Sequence, residues 1–510
     1  MKEFPFIIQE AFTKGLRTED TFLNQEGFLE ECVNMKPGPG GLVVYEPLVD
    51  PFSGGQVVDY PFPQFFRGQE LTLLLGTTTL HELNTGSVPW TKTSISLYSP
   101  SVPTATTTIT QDGVWHFIDL GPAFYAFNGT STVFRTGLDR LESDSTPATF
   151  VTDSVTIKTG CSFKGRVYVG GFNQSNLWGN LWQEVFAAWE KEADLEEIDL
   201  LAQGPDVNWV MWSSIGGGDF PLWLVYPQGF GQLNLGPKSE FILERMRRNE
   251  FGWMPMHYSG EVRCIKPLGN AVIAYGADGI GAIIPRGADV GYRELSNFGI
   301  LSRGAVGGDQ DGHVFVAEDG ELWGLSPNLE LARFGYKERF SVFSAVSTLI
   351  TYNSVWKEWF ISDPAEAFIF NQEKGLSEIE DRYTSTTYYN GVHYGLASTG
   401  VTPMLVDVLT GAYDNDRRAL KYIHDIQLQY QDLTNVTLSL LYRYDATSAF
   451  STLGPISVNP EGIVTFTCTA LEFKLRIQGT PGTNPRIDRA EVRWSLVDKR
   501  AVRGMFGTQQ

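Results

Sequence analysis

Asp309-Gln310-Asp311-Gly312, then His313-Val314-Phe315-Val316-Ala317, then Glu318-Asp319-Gly320, then Glu321-Leu322-Trp323-Gly324-Leu325 follow one another without a break. Asp319-Gly320 accepts the positive φ angles of a tight turn, because glycine has no Cβ to clash there. Val314 and Val316 fall on one face of a first strand, and Leu322 continues an apolar second strand. The stretch 299–336 therefore predicts a β-hairpin with a glycine-rich approach.

The same phrase, a turn followed by an aromatic or branched strand, recurs along the chain. Gly68 precedes Leu71-Thr72-Leu73-Leu74-Leu75, Gly113 precedes Val114-Trp115-His116-Phe117-Ile118, and Gly165 precedes Arg166-Val167-Tyr168-Val169. Gly269 precedes Ala271-Val272-Ile273-Ala274-Tyr275, and Gly312 precedes the quoted strand. Asn353-Ser354 precedes Trp359-Phe360-Ile361, and Asn390-Gly391 precedes Val392-His393-Tyr394. Successive anchors lie 37 to 52 residues apart, except for a step of 104 from Gly165 to Gly269. A further unit at Gly217, with Leu222-Trp223-Leu224-Val225-Tyr226, divides that step in half. Units of roughly 40 to 50 residues have the period of a four-stranded propeller blade. The expectation is an all-β chain with a β-propeller body of six to eight blades; the alternative is a large β-protein of irregular meanders.

Composition agrees with a folded β-protein. Aromatic residues make up 13% of the 510, charged residues only 19%, and 53 glycines with 26 prolines supply turns. That balance is not the one of a disordered chain. With 39 Lys and Arg against 59 Asp and Glu, the net charge is −20, which argues against a surface that grips phosphates. Cys32, Cys161, Cys264 and Cys468 are far apart, so a disulfide framework or zinc site is not expected, and they suit the core of a protein folded in a reducing cytoplasm. The start, Met1-Lys2-Glu3-Phe4-Pro5-Phe6, lacks the apolar run of a signal peptide, and no stretch approaches the ~20 apolar residues of a membrane span.

In chain order, residues 1–40 read as an N-terminal segment closed by the stiff turn Pro37-Gly38-Pro39-Gly40-Gly41, which feeds a strand at Leu42-Val43-Val44-Tyr45 from outside the body. Residues 41–417 read as the propeller. Two charged inserts interrupt it. One carries Glu190, Glu192, Asp194, Glu196, Glu197 and Asp199; the other crowds Arg245, Arg247 and Arg248 at the end of a short helix. The acidic run reads first as a solvated face and second as a partner contact or a lumen lining. From 418 to 497 the pattern changes to strict alternation, as in Ile426-Gln427-Leu428-Gln429-Tyr430, Phe473-Lys474-Leu475-Arg476-Ile477 and Val492-Arg493-Trp494-Ser495-Leu496. That is the mark of half-exposed antiparallel strands, here a small β-sandwich, with Gly479-Thr480-Pro481-Gly482-Thr483-Asn484-Pro485 as one of its turns. Residues 498–510 read as a tail ordered only against a partner.

Catalytic patterns are sparse. His81, His116, His257, His313, His393 and His424 have no histidine or cysteine partner at metal-ligand spacing, and there is no nucleophile elbow or phosphate loop. Gly307-Gly308-Asp309-Gln310-Asp311-Gly312 has the look of a calcium loop, but Gly320 stands where the twelfth-position glutamate is needed. Carboxylates paired across blades for glycoside hydrolysis stay open. The sequons at Asn128, Asn173 and Asn435 read as chance matches in a chain without a secretion signal. No metal, cofactor or enzyme activity is expected. Trp323, Phe360 and Trp494, each inside an apolar phrase, are expected in the core.

The order of parts, a Pro/Gly turn, a propeller-like body and a terminal β-domain ending in Arg486-Ile487-Asp488-Arg489-Ala490-Glu491-Val492-Arg493-Trp494, resembles the tail nozzle proteins of short-tailed bacteriophages, including the packaged-DNA-stabilisation proteins. Phe298-Gly299-Ile300-Leu301-Ser302-Arg303 with Gly320-Glu321-Leu322-Trp323, and Trp359-Phe360-Ile361 with Ala367-Phe368-Ile369-Phe370-Asn371, carry the same resemblance, which spans roughly 30–497. It implies a structural virion protein: a homo-hexameric ring below the portal and adaptor, through which packaged DNA passes without tight binding. Complementarity would then place Arg245, Arg247 and Arg248 of one subunit against Glu190, Glu192, Glu196 and Glu197 of the next. The alternative is a host-glycan-binding or glycan-cleaving propeller with Trp115, Trp223 and Trp323 as a sugar platform.

Overall fold

The computed structural model describes residues 4–17, 28–45, 47–52, 64–67, 73–77, 79–86, 89–99, 102–106, 114–119, 124–129, 132–135, 149–152, 157–172, 206–213, 252–286, 289–389, 391–397, 405–414 and 419–497. The chain is all-β; helix among these residues is limited to the single turns Ala11–Lys14 and Lys337–Phe340. Two compact units emerge, one made of Leu48–Trp356 with Tyr383–Ser398, the other of Met1–Pro47, Lys357–Arg382 and Thr399–Gln510.

The first unit is the propeller body. Its quoted hairpin pairs Val306–Asp309, Gly312–Val316, Leu322–Leu325 and Leu331–Gly335 in sequence order as one antiparallel sheet. Gly320 has φ 85° in the five-residue connection, and a Cβ there would sit 2.7 Å from the Ser341 Cα, so the turn requires glycine. The next sheet upstream repeats the plan with Val262–Leu268, Ala271–Gly276, Ile280–Arg286 and Asp289–Ser296. So does Gln64–Arg67, Leu73–Gly76, Leu80–Asn84 and Thr91–Ser94. A six-stranded sheet adds Leu97–Ser99 and Val102–Thr106 to the four strands from His116–Asp119 to Thr149–Thr152.

The first strands of successive sheets form a closed ring of seven. Phe66 stacks on Phe117 at 4.8 Å, the Thr159 hydroxyl meets His116 Nδ1 at 3.2 Å, and the Ile265 N–H donates to the same Thr159 oxygen at 2.8 Å. Gly269 N–H donates to Gln310 O, and Ile350 N–H to Gly304 O. Thr386 N–H donates to Thr351 Oγ1 at 3.2 Å, and Phe65 N–H returns to Ser385 Oγ at 3.0 Å, which closes the circle. Because each sheet is covered on both sides by its neighbours, its inner strands are buried on both faces. Ala271–Gly276 and Arg166–Gly170 are buried at every position. Val314, Phe315 and Val316 are all fully buried, so the first strand of the hairpin has no solvent face there.

The step of 104 residues has a physical cause. Thr159–Phe163, Arg166–Gly170, Trp209–Trp212 and Gly252–Pro255 form a single antiparallel sheet, so two long connections, 171–208 and 213–251, fall inside it. The unit expected at Gly217 lies outside the described residues. The Gly113 phrase is displaced in a different way, because His116–Asp119 is the first strand of its sheet and Phe124–Phe127 the second.

The second unit is organised by two very long strands, Lys421–Arg443 and Glu472–Leu496, paired along their length. Residues 421–427 also pair with Ile463–Ala470, and residues 437–442 with Ser451–Ser457. The segment 479–485, expected as a turn, is instead part of the second long strand. Pro481 opposes Leu433 and Thr480 opposes Thr434; Asp432 and Asn435, both at positive φ, fall at the register shifts on either side, which interrupt the pairing locally without ending it. Asp432 accepts the Asn484 N–H at 2.5 Å, which satisfies the bulge.

This unit also recruits distant chain. Phe4–Ile8 pairs with residues 490–494 of the second long strand, and Leu29–Val33 with Val406–Thr410. Gly41–Val44 pairs with Met35–Gly38 and with residues 486–487. The strand expected to lead from residues 1–40 into the propeller is thus a member of the terminal unit. Glu358–Ser362, Ala367–Asn371 and Gly375–Ile379 belong to it as well. Phe360 and Trp494 are buried as expected; Trp323 is only half-buried, leaning on Phe298 at 5.0 Å from the rim of its cluster.

Candidate functional site

The seven described inner strands line a cavity of about 360 Å³ that is open to solvent at its mouth. Phe66, Trp115 and Phe117 form an aromatic wall, with Phe66 and Phe117 nearly parallel. The Trp115 indole N–H is spent on Thr77 O at 2.9 Å, which locks that ring as wall. Lys266, Arg303 and His116 bring positive or basic groups, and the described lining residues include no aspartate or glutamate.

Each cation has a different standing. Arg303 precedes the strand Val306–Asp309 and reaches across the ring to the carbonyl oxygens of Asn128 and Val114, both at 3.2 Å, and of Lys158. Its fork staples neighbouring sheets through their backbones. Lys266 stands in Val262–Leu268, and among the described residues no carboxylate lies within ion-pair reach of it. Lys158, by contrast, pairs with Glu261 at 2.5 Å.

His116 is held neutral: burial, then the charges of Arg303 and Lys266, push its pKa well below the usual imidazole range. The Thr159 hydroxyl accepts the Ile265 N–H at 2.8 Å and lies 3.2 Å from His116 Nδ1. His313 is fully buried with the Tyr275 hydroxyl at 2.8 Å from Nδ1, and burial with Lys266 nearby pushes it down to about 3. His81 sits between the Thr77 and Ser94 hydroxyls and is lowered to about 4, chiefly by burial.

All four cysteines are free and buried. Cys161 and Cys264 line the cavity, and burial raises both thiols, so the thiolate needed for nucleophilic attack is disfavoured. The arrangement offers binding groups rather than a nucleophile with its base.

The charged residues expected at subunit contacts, Arg245, Arg247, Arg248, Glu190, Glu192, Glu196 and Glu197, lie outside the described residues. Asp309 accepts the Asp311 N–H at 2.9 Å, capping its own turn instead of reaching outward. Among the described residues no group of three or more His, Cys, Asp or Glu is placed to hold a metal. Of the three residues expected to form a sugar platform, Trp115 is buried wall, Trp323 is half-buried against Phe298, and Trp223 lies outside the described residues. An aromatic group that sequence reading missed is Trp356, His393 and Tyr388, in tilted ring contact at 3.9 and 4.6 Å with Tyr388 exposed. Among the described residues no helix is long and apolar enough to cross a membrane.

No protein-family model and no curated protein matches this chain. Among solved structures it is similar to PorZ, a surface component of the type-IX secretion system of Porphyromonas gingivalis, at 9% identity and TM-score 0.32, over 69% of this chain and 37% of that one. It is also similar to the extracellular domain of a putative one-component system of B. thetaiotaomicron, at 10% identity and TM-score 0.36, over 84% and 49%. The chain spans less than half the length of either, and likenesses of this size carry no functional argument.

Proposed function

We propose that the protein is a non-enzymatic structural subunit of a phage tail nozzle, acting as a six-membered ring that continues the DNA channel below the portal and adaptor. What supports this is the placement of the phrases that resemble the nozzle family. Gly320-Glu321-Leu322-Trp323 turns into the third strand of a propeller sheet, Trp359-Phe360-Ile361 and Ala367-Phe368-Ile369-Phe370 are paired strands, and 486–494 is the last stretch of the long strand. These are the framework of the two units, as a scaffold family requires, rather than surface coincidences.

The charge balance fits the role. A genome leaving through the ring moves freely only if the wall does not hold phosphates, and each lysine or arginine on DNA adds a salt-dependent anchor. A chain at −20 is poor in such anchors. In a mobility-shift titration at low salt the free subunit is expected to leave duplex DNA unshifted, and native mass spectrometry with portal and adaptor is expected to show six copies. Tight, salt-sensitive duplex binding contradicts the sliding channel, and a single copy contradicts the nozzle. The second reading, a glycan-binding propeller, has the ring cluster of Trp356, His393 and Tyr388 in its favour. Saturable oligosaccharide binding lost in Tyr388→Ala, with no ring formed, would select it.

A further inference from the structure

We propose that the cavity inside the ring of inner strands binds a small organic monocarboxylate, its carboxylate on the Lys266 ammonium and its apolar body against Phe66, Trp115 and Phe117. The first ground is charge. Lys266, Arg303 and His116 converge on a cavity whose described lining contains no carboxylate, in a protein whose net charge is −20. The Lys266 ammonium stands half-buried on this wall, and among the described residues nothing pairs with it.

The second ground is the number of donors. Arg303 directs its terminal N–H groups at the carbonyls of Asn128, Val114 and Lys158, so it adds potential to the cavity while its fork holds the fold together. His116 is neutral and adds one N–H at most. One available ammonium matches one negative charge. A dianionic phosphate calls for more donors than this, commonly a bidentate arginine or a row of backbone N–H groups.

The third ground is shape. A cavity of about 360 Å³ lies at the small end of ligand pockets, and its aromatic wall suits a compact planar body. The assignment is independent of the nozzle reading, because it concerns the inside of one propeller and not the lumen of a ring of subunits.

Benzoate is the probe, tested on the full chain by calorimetry and thermal unfolding, with benzamide as its neutral counterpart and inorganic phosphate as the competing anion. The expected result is saturable one-to-one benzoate binding that raises Tm, and benzamide and phosphate at least tenfold weaker. Lys266→Met is expected to weaken benzoate at least tenfold, Lys266→Arg to restore much of it, and the exposed-lysine control Lys92→Met to bind as the parent does. Should Lys266→Met fail to fold, the comparison of benzoate with benzamide on the parent protein decides alone. Absent saturable binding, equal binding of benzoate and benzamide, or tighter binding of phosphate overturns the proposal.

Discussion

The two units bury their strands in opposite ways. In the propeller, Ala271–Gly276 is buried at six consecutive positions, because a neighbouring sheet covers each face. In the terminal unit, Glu472–Leu496 alternates buried and half-exposed residues through most of its 25 positions. One face of that strand meets the core and the other carries ion pairs, such as Lys474 with Glu30 at 2.6 Å and Arg476 with Asp407 at 2.6 Å. A sheet between neighbours reads as a continuous apolar run, and a sheet with one wet face reads as a period of two. The difference is therefore one of layer position, with the same backbone geometry in both.

The largest expected effect tests the two-sided burial. Phe315 is fully buried and sits between Val314 and Val316, which are buried too. Phe315→Ala is expected to cost about 3–5 kcal/mol in denaturant unfolding, and Leu475→Ala in the alternating strand about 2–5 kcal/mol. The comparison breaks at the neighbouring positions. Val314→Thr is expected to destabilise strongly, since it buries a hydroxyl without a partner. Arg476→Gln, beside Leu475 and 37% exposed, is expected to cost much less. Equal costs at these two neighbours would mean that layer position does not set the pattern.

A middle-sized effect is expected with pH. Burial, with Lys266 nearby, pushes the His313 pKa down to about 3 in the folded protein, against the ordinary imidazole value of about 6.5. A histidine depressed in this way binds its proton more readily when unfolded, so the stability it contributes is fully present above pH 6.5 and is lost as the pH falls toward 3. Between pH 7 and pH 5 the loss is about 2 kcal/mol for this one residue, following ~1.4 kcal/mol per pKa unit. His81, lowered to about 4, acts in the same direction. His313→Gln is expected to flatten the pH dependence of the unfolding midpoint in that window; an unchanged slope would contradict the burial of a neutral ring.

The smallest effect belongs to the wet face. Arg493 is 38% exposed and stands 3.7 Å from both Asp425 and Glu491. Arg493→Ala is expected to change stability by less than about 1 kcal/mol, whereas Trp494→Ala, one residue on and buried, costs about 3–5 kcal/mol.

The same contrast explains what was legible in the sequence. The turn-and-strand phrases found the second strands at Arg166–Gly170, Ala271–Gly276 and Gly312–Val316, because a glycine at positive φ before an apolar run is a local signal: Gly165 has φ 74° and Gly269 φ 53°. Alternation likewise found the pieces of the long strands. What failed was range. The Gly479-to-Pro485 run has turn residues, yet its backbone is held extended by the partner strand across it, which no local window contains. Phe4–Ile8 and Gly41–Val44 pair with residues more than 400 positions away. The cavity was hidden for the same reason, since Lys266, Arg303 and His116 come from three different sheets. Its one faint signal was a lysine in the otherwise apolar middle of Val262–Leu268.

The most direct test of the central claim is an averaged electron-microscope image of a phage particle that carries this chain, with the chain labelled. The account predicts six copies on the tail axis, in a ring around the DNA channel below the portal and adaptor. Copies attached singly to the side of the particle, or off the axis altogether, would contradict it.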